Sequence, residues 1–227
     1  MKKCNYFVAL IAGFALSGSA LAMELETEAQ KLGYIIGMDV GNSLKQQGTE
    51  FDMDALLEAI RATYDGTELA LTPEEAATIR ESFIAKRRAS AESERQATAA
   101  SNAAAGDKFL LENRTKEGVV VTESGLQYMV VTKGEGPRPA VNDRVTVHYR
   151  GTLLDGTEFD SSYSRNQPMT FQLDQVIAGW TEGVQLMPVG SKYMFWIPSN
   201  LAYGPAGGGP IGPNATLTFE VELLGIE

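Results

Sequence analysis

Apolar positions along this chain change their period part-way through. Leu25, Leu32, Ile36, Val40 and Leu44 fall on one helix face, and Gly48 supplies a stop. Asp52 and Asp54 can cap a second helix that carries Leu56, Leu57, Ile60 and Tyr64 and ends at Gly66. Thr72-Pro73-Glu74-Glu75 is a third start, with a capping Thr, a Pro at the first helical position and a Glu three residues after the Thr. No Gly or Pro follows until Gly106. This third helix begins with an apolar stripe of Ile79, Phe83 and Ile84. From Ala85 to Lys108 its apolar residues are essentially all alanine. Such a stretch favours helix but buries little surface. It predicts a long exposed helical arm, rising ~1.5 Å per residue, with fraying or a kink at Asn102 and Gly106; a solvated helix or a disordered linker is the alternative.

Past Gly118 the period falls to two. Val145, Val147 and Tyr149 alternate with Thr146, His148 and Arg150, and Leu217, Phe219, Val221 and Leu223 alternate with Thr218, Glu220 and Glu222. Residues 125–132 and 192–197 are further strand candidates, Asp155-Gly156 is a turn signal, and a short helix is expected near 176–186. The predicted fold is α+β. A C-terminal antiparallel β-sheet wraps on a short helix, preceded by an all-α domain and a long connecting helix. The expected boundaries are a leader over 1–22, a helical domain over 23–70, the connecting helix over 71–118 and the sheet domain over 119–227.

The leader is read from Met1-Lys2-Lys3, an apolar run from Tyr6 to Leu16 and small residues ending in Ala20-Leu21-Ala22. A basic start, a short apolar stretch and an Ala-x-Ala end describe a secretory signal peptide cut after Ala22. The run is shorter than the ~20 residues of a membrane-spanning helix. Cleavage removes Lys2, Lys3 and Cys4, leaving 17 basic against 29 acidic side chains and no cysteine. The expected location is the periplasm, with or without association with the outer membrane, and with no membrane insertion after cleavage.

Composition narrows the chemistry. The net charge of −10 argues against nucleic acid as a partner. One His and one Cys exclude a Cys/His zinc site and a disulfide framework. No glycine-rich phosphate loop precedes a Lys-Ser/Thr pair, and no cluster has metal-ligand spacing. Alternation puts His148 on the face opposite Tyr149, toward solvent. An enzyme built from these residues works without proton transfer, nucleophile or metal, and no cofactor is expected.

Gly33, Gly37 and Gly41 recur every four residues on the first helix. They put three positions without side chains on one face, where another helix can approach closely. A seam between two subunits through residues 23–70 is the preferred reading, with Met38 filling it. Close packing within one subunit is the alternative.

Four further blocks carry a resemblance. Val147 to Ser162 (Val-His-Tyr-Arg-Gly-Thr-Leu-Leu-Asp-Gly-Thr-Glu-Phe-Asp-Ser-Ser), Val176 to Val184, Ala202-Tyr203-Gly204 and Asn214 to Leu223 together resemble the FKBP-type peptidyl-prolyl cis/trans isomerases. The whole chain, with its leader, helical front half and long helix, resembles the secreted bacterial branch related to the macrophage infectivity potentiator. Lys31 to Gly37 agrees with that branch, in which the front half forms a homodimer.

The resemblance implies a hydrophobic proline pocket and an isomerase acting on proline-containing, unfolded or partly folded polypeptides. Macrolide inhibitors of the family are implied ligands. Trp180 would be the floor. Tyr149, Phe159 and Phe219 would be walls, with Val176 and Ile177 beside them. The Ile177 N–H and the Tyr203 hydroxyl would bind substrate carbonyls. Asp160 would sit beside the twisting carbonyl, oriented by Arg165. The implied catalytic residues are therefore Asp160, Phe159 and Tyr203. Met169 stands where many members carry an aromatic wall, and Ile211 is the remaining apolar candidate in the loop from Gly204 to Asn214. Chaperone activity is expected beside isomerisation. The competing reading is a dimeric holdase whose main role does not depend on proline.

Overall fold

The computed structural model describes residues 24–227. The leader assigned to residues 1–22 lies outside the described residues. The chain divides into two compact units, one reaching to Thr72 and one over Pro73–Glu227.

The first unit holds α1 (Glu28–Gln47) and α2 (Met53–Asp65). α1 starts at a capping box: the Thr27 hydroxyl accepts from the Gln30 N–H, and the Gln30 side chain accepts from the Thr27 N–H. Asp52 caps α2 by accepting from the amides of Asp54 and Ala55, both at 3.0 Å. Gly48 and Gly66 close the two helices in the left-handed conformation, at φ 62° and 68°. The Asp52 cap and the Gly48 and Gly66 stops are those the sequence signals, and the Thr27 capping box is an addition to them. Yet neither helix contains a buried residue. Leu32, Ile36, Leu57 and Ile60 are all exposed.

The second unit begins with α3 (Pro73–Asn113), one uninterrupted helix of 41 residues. Its distal half is unbroken through Asn102 and Gly106, and it is no free arm. Asn102, Gly106, Leu110 and Asn113 form one face, three or four residues apart, that turns away from solvent. A Cβ on Gly106 would fall 2.3 Å from Thr216 Oγ1, so only glycine permits this approach. Asn113 is fully buried and donates to Gln127 Oε1 at 3.0 Å, and Gln127 donates to the Leu110 carbonyl at 2.8 Å. The residues expected to weaken the helix are the ones that dock it. Small and polar side chains let its backbone lie close to the following domain.

That domain is a seven-stranded antiparallel sheet: β1 (Val119–Val121), β2 (Gln127–Thr132), β3 (Arg144–Leu153), β4 (Glu158–Ser161), β5 (Met169–Gln172), β6 (Lys192–Ile197) and β7 (Leu217–Ile226). The order is β1-β2-β6-β7-β3-β4. β5 pairs with the first half of β3 and β4 with its second half, so two short strands share one long edge. Val145, Val147 and Tyr149 of β3, and Leu217, Phe219, Val221 and Leu223 of β7, all point into the core. This is the alternation read in the sequence.

α4 (Ala178–Gln185) packs across that inner face. Gly179 and Gly183 stand one turn apart. A Cβ at the first would meet Ile197 at 2.4 Å, and at the second Phe195 at 2.6 Å. The glycines let the helix sit close on β6. This lowers Trp180, next to Gly179, into the sheet.

Candidate functional site

The aromatic residues of the sheet and Trp180 enclose a cavity of about 610 Å³. Trp180 is buried, and Tyr149, Phe171 and Phe219 surround it at ring-centroid distances of 5.3, 5.6 and 5.3 Å, all near-perpendicular. Such edge-to-face contacts add attraction beyond area burial and fix ring orientation. Phe159 meets Phe219 edge-on at 5.5 Å. A Cβ at Gly151 would fall 2.6 Å from Phe159 and 2.7 Å from Phe219, so this glycine admits both rings. The Trp180 indole N–H is buried without a hydrogen-bond partner.

Phe159 and Asp160 are neighbours in β4 and would ordinarily face opposite ways. Here both line the cavity. The register explains it. Gly151 pairs with Asp160 and Thr152 with Glu158, leaving Phe159 as the extra residue of a bulge. A bulge bends the strand and re-aims its side chains.

Asp160 brings the only carboxylate to the lining. The Tyr149 hydroxyl donates a very short hydrogen bond to its Oδ2. Arg165 donates to Oδ1 at 2.5 Å and to the Tyr149 oxygen at 3.0 Å. Three groups thus close one ring of bonds at the cavity's edge. Burial pushes the Tyr149 phenol up to about 12, and the Asp160 carboxylate adds to that while Arg165 opposes it. For Asp160, burial raises the pKa, but the bonds from Arg165 and Tyr149 outweigh it and hold the carboxyl below its ordinary value.

The signs follow from linkage. A raised phenol pKa adds stability that is whole below the ordinary tyrosine value and is lost as pH rises through about 12. A depressed carboxyl pKa adds stability that is present above the ordinary aspartate value and is lost as pH falls through the lower folded one. Neither group changes charge between roughly pH 6 and 9. Activity per folded molecule is therefore expected to be flat across that window. In an ultraviolet titration, Tyr149→Phe should remove a phenol that ionises late. If the variant instead removes one ionising near the ordinary value of 10.0, the bonded ring is wrong.

The cavity gathers Tyr149, Phe159, Asp160, Val176, Ile177, Trp180, Tyr203, Ile211 and Phe219, all singled out in the sequence. Ile177 precedes α4, where the first amides of a helix have no intrahelical acceptor. Tyr203 is 43% exposed at the rim. Met169 is not among the residues that line the cavity directly. It packs against the core from the start of β5, and Phe171, two residues on and on the same face, supplies the aromatic wall. Gln175, Gly208 and Pro210 also line the cavity. The sequence reading missed Phe171, for which its place two residues after Met169 is the one available signal, and Gln175, in a 3₁₀ turn, carried none. His148 lies opposite Tyr149 as expected but is half-buried. It stacks on Tyr163 at 4.8 Å, with Nδ1 2.9 Å from Ser162 Oγ. Among the described residues no group of His, Cys, Asp and Glu could hold a metal ion.

Comparison with known proteins sets this geometry in a family. Residues 136–224, which include every residue lining the cavity, match the model of the FKBP-type peptidyl-prolyl cis-trans isomerase, and residues 29–130 match that of the domain amino terminal to it. A probable FKBP-type peptidyl-prolyl cis-trans isomerase, FkpA, of Neisseria meningitidis serogroup B is 49% identical over 201 residues. That alignment covers 87% of this chain and 74% of the relative. The chain belongs to the FKBP-type peptidyl-prolyl cis-trans isomerases. The outer membrane protein MIP of Legionella longbeachae is 42% identical over 229 residues, covering 99% of this chain and 98% of that protein. The crystal structure of FkpA from Escherichia coli superposes with a TM-score of 0.73 at 38% identity, covering 90% of this FKBP-type chain and 99% of that one. The family and the α+β architecture are those expected from the sequence blocks. No described helix is long and apolar enough to cross a membrane.

Proposed function

We propose that this enzyme accelerates rotation about X–Pro bonds in exported polypeptides, in the cavity floored by Trp180. The observation that carries the reading is an aromatic cavity whose single carboxylate is held by a tyrosine and an arginine rather than freed for proton transfer. Rotation of a peptide C–N bond faces ~18–20 kcal/mol, because amide resonance must break. X–Pro bonds populate both isomers and exchange in tens to hundreds of seconds. The twisted amide has lost its charge separation, so a water-poor aromatic site disfavours it less than the planar ground state. Trp180 seats the proline ring. Phe159, Phe171 and Phe219 exclude water, and Asp160 lies beside the twisting carbonyl. The Ile177 N–H and the Tyr203 hydroxyl hold the flanking carbonyls. A 10⁴-fold acceleration requires only about 5.4 kcal/mol of preference for the twisted state. The test is the cis-to-trans rate of a short X–Pro peptide, which should rise linearly with added protein. A folded protein that leaves the rate unchanged sinks the reading.

The leader and the named relatives support a periplasmic enzyme. Homodimerisation through residues 23–70 is supported by the uncovered apolar residues of α1 and α2 and by a groove of about 650 Å³ that Gly33, Gly37 and Met38 help to line. The same apolar faces favour a second activity, chaperoning of unfolded clients. A holdase acting independently of proline would keep its aggregation suppression in a Phe159→Ala variant, whereas an isomerase-driven one would lose it.

A further inference from the structure

The loop over residues 204–214 is a compact closed structure. The Asn214 N–H donates to the Gly204 carbonyl at 2.9 Å and closes the base. Gly208 and Ile211 exchange two backbone hydrogen bonds, both at 2.9 Å, and close the tip. Tyr203, just before the loop, and Gly208, Pro210 and Ile211 at its tip all line the cavity. One whole side of the site therefore hangs on a segment with no regular strand or α-helix of its own.

What holds that segment is α3. The Asn102 side chain donates to the Pro213 carbonyl at 2.9 Å. Arg95 donates to the carbonyls of Ala206 and Pro205, at 3.2 and 3.5 Å. In return Asn214 donates to the Ala99 carbonyl at 3.4 Å. Arg95, Ala99 and Asn102 are three or four residues apart and so share one face of the helix. The grip continues beyond the loop, where Gly106 lies against Thr216. The Asn113–Gln127 bonds then anchor the helix end to the sheet.

We infer that the distal half of α3 belongs to the isomerase site, with Asn102 as its main positioning residue and Arg95 as a second. This rests on the proposed use of the cavity. Asn102 does not itself line the cavity. It fixes the base of the loop and so sets where Tyr203, Pro210 and Ile211 meet a substrate. Contacts of that kind act on the planar and twisted substrate alike. Their loss raises KM and leaves kcat in place.

The experiment uses the full chain and a short X–Pro peptide, with kcat and KM measured separately. Asn102→Ala removes the donor, and Asn102→Asp keeps the size but offers no N–H. Both should lower kcat/KM about five- to ten-fold, the loss of roughly one hydrogen bond. The effect should appear in KM, with kcat within about two-fold. Arg95→Ala should do the same more weakly, since its side chain is exposed. Ser101→Ala, on the solvent side of the same helix, should leave both constants unchanged. Wild-type kinetics in both Asn102 variants overturn the inference, as does a lowered Tm with unchanged KM, which would make Asn102 purely structural. Asp160→Ala run in parallel separates the two failures. If that variant is impaired while the Asn102 variants are not, only the role of α3 falls. If all are silent, the cavity reading falls and takes the inference with it.

Discussion

Asp160→Ala should lower kcat/KM on a short X–Pro peptide by roughly 10- to 100-fold and leave the fold nearly intact. The size follows from the bonds it removes. Hydrogen bonds to a charged partner contribute ~1.5–3 kcal/mol, which converts to about that range of rate. The fold should survive because the Asp160 and Arg165 side chains are 42% and 45% exposed, and exposed ion pairs add little to stability. Tyr149 also keeps a partner, since Arg165 still donates to its oxygen. Asp160→Asn sharpens the result. It keeps the shape and an acceptor but loses the charge. A rate near wild type would make Asp160 a hydrogen-bonding group, and a rate near Asp160→Ala would make its charge the working feature. Phe159→Ala should also lose about ten-fold, by admitting water beside Phe219. Circular dichroism and Tm serve as the controls for folding. Wild-type rates in both Asp160→Ala and Phe159→Ala would place the chemistry elsewhere.

Legibility followed length and period. The ten-residue strands β3 and β7 each show enough alternation to betray themselves, and they bring Tyr149 and Phe219 to the site. β1, β4 and β5 have three or four residues each, too few to display a period. Pattern alone would have set Phe159 and Asp160 on opposite faces. Only the sequence block shared with the family put them in one site, and the bulge is the physical reason. The shares of Met169 and Phe171 in the wall are illegible for the same reason. Residues 169 and 171 share a face of β5, and pattern cannot say which one reaches the cavity. The distal half of α3 misled for another reason. The alanines read as an exposed arm because they bury little side-chain area, and Asn102 and Gly106 read as weak points because their helix propensity is low. Their use is close backbone approach and hydrogen bonding to distant carbonyls, and neither leaves a hydrophobic signal.

Gly37→Glu should split a dimer into monomers and cost the first unit its helices. As a single chain this unit has caps but no core. α1 and α2 bury no residue, and Leu32, Tyr34, Ile36 and Met38 are each more than half exposed. Ordering a residue costs ~1–2 kcal/mol of backbone entropy, and caps alone do not offset that. We propose that the missing burial comes from a second copy of the same glycine-lined face. A Cβ at Gly37 meets nothing within 4 Å of its own chain, so a side chain there starts into open space in the monomer. Glutamate is also the better helix former. Any loss of helix then reports the lost partner. Light scattering should give wild type twice the chain mass and the variant a single one, and circular dichroism should show less helix. The site lies wholly within the unit that starts at Pro73, so peptide isomerisation should continue at the wild-type rate. Suppression of client aggregation should fall, because the apolar faces no longer assemble. An unchanged mass in Gly37→Glu would remove the glycine face from the interface. A loss of peptide turnover alongside dissociation would mean that pairing, and not only the pocket, is part of the catalyst.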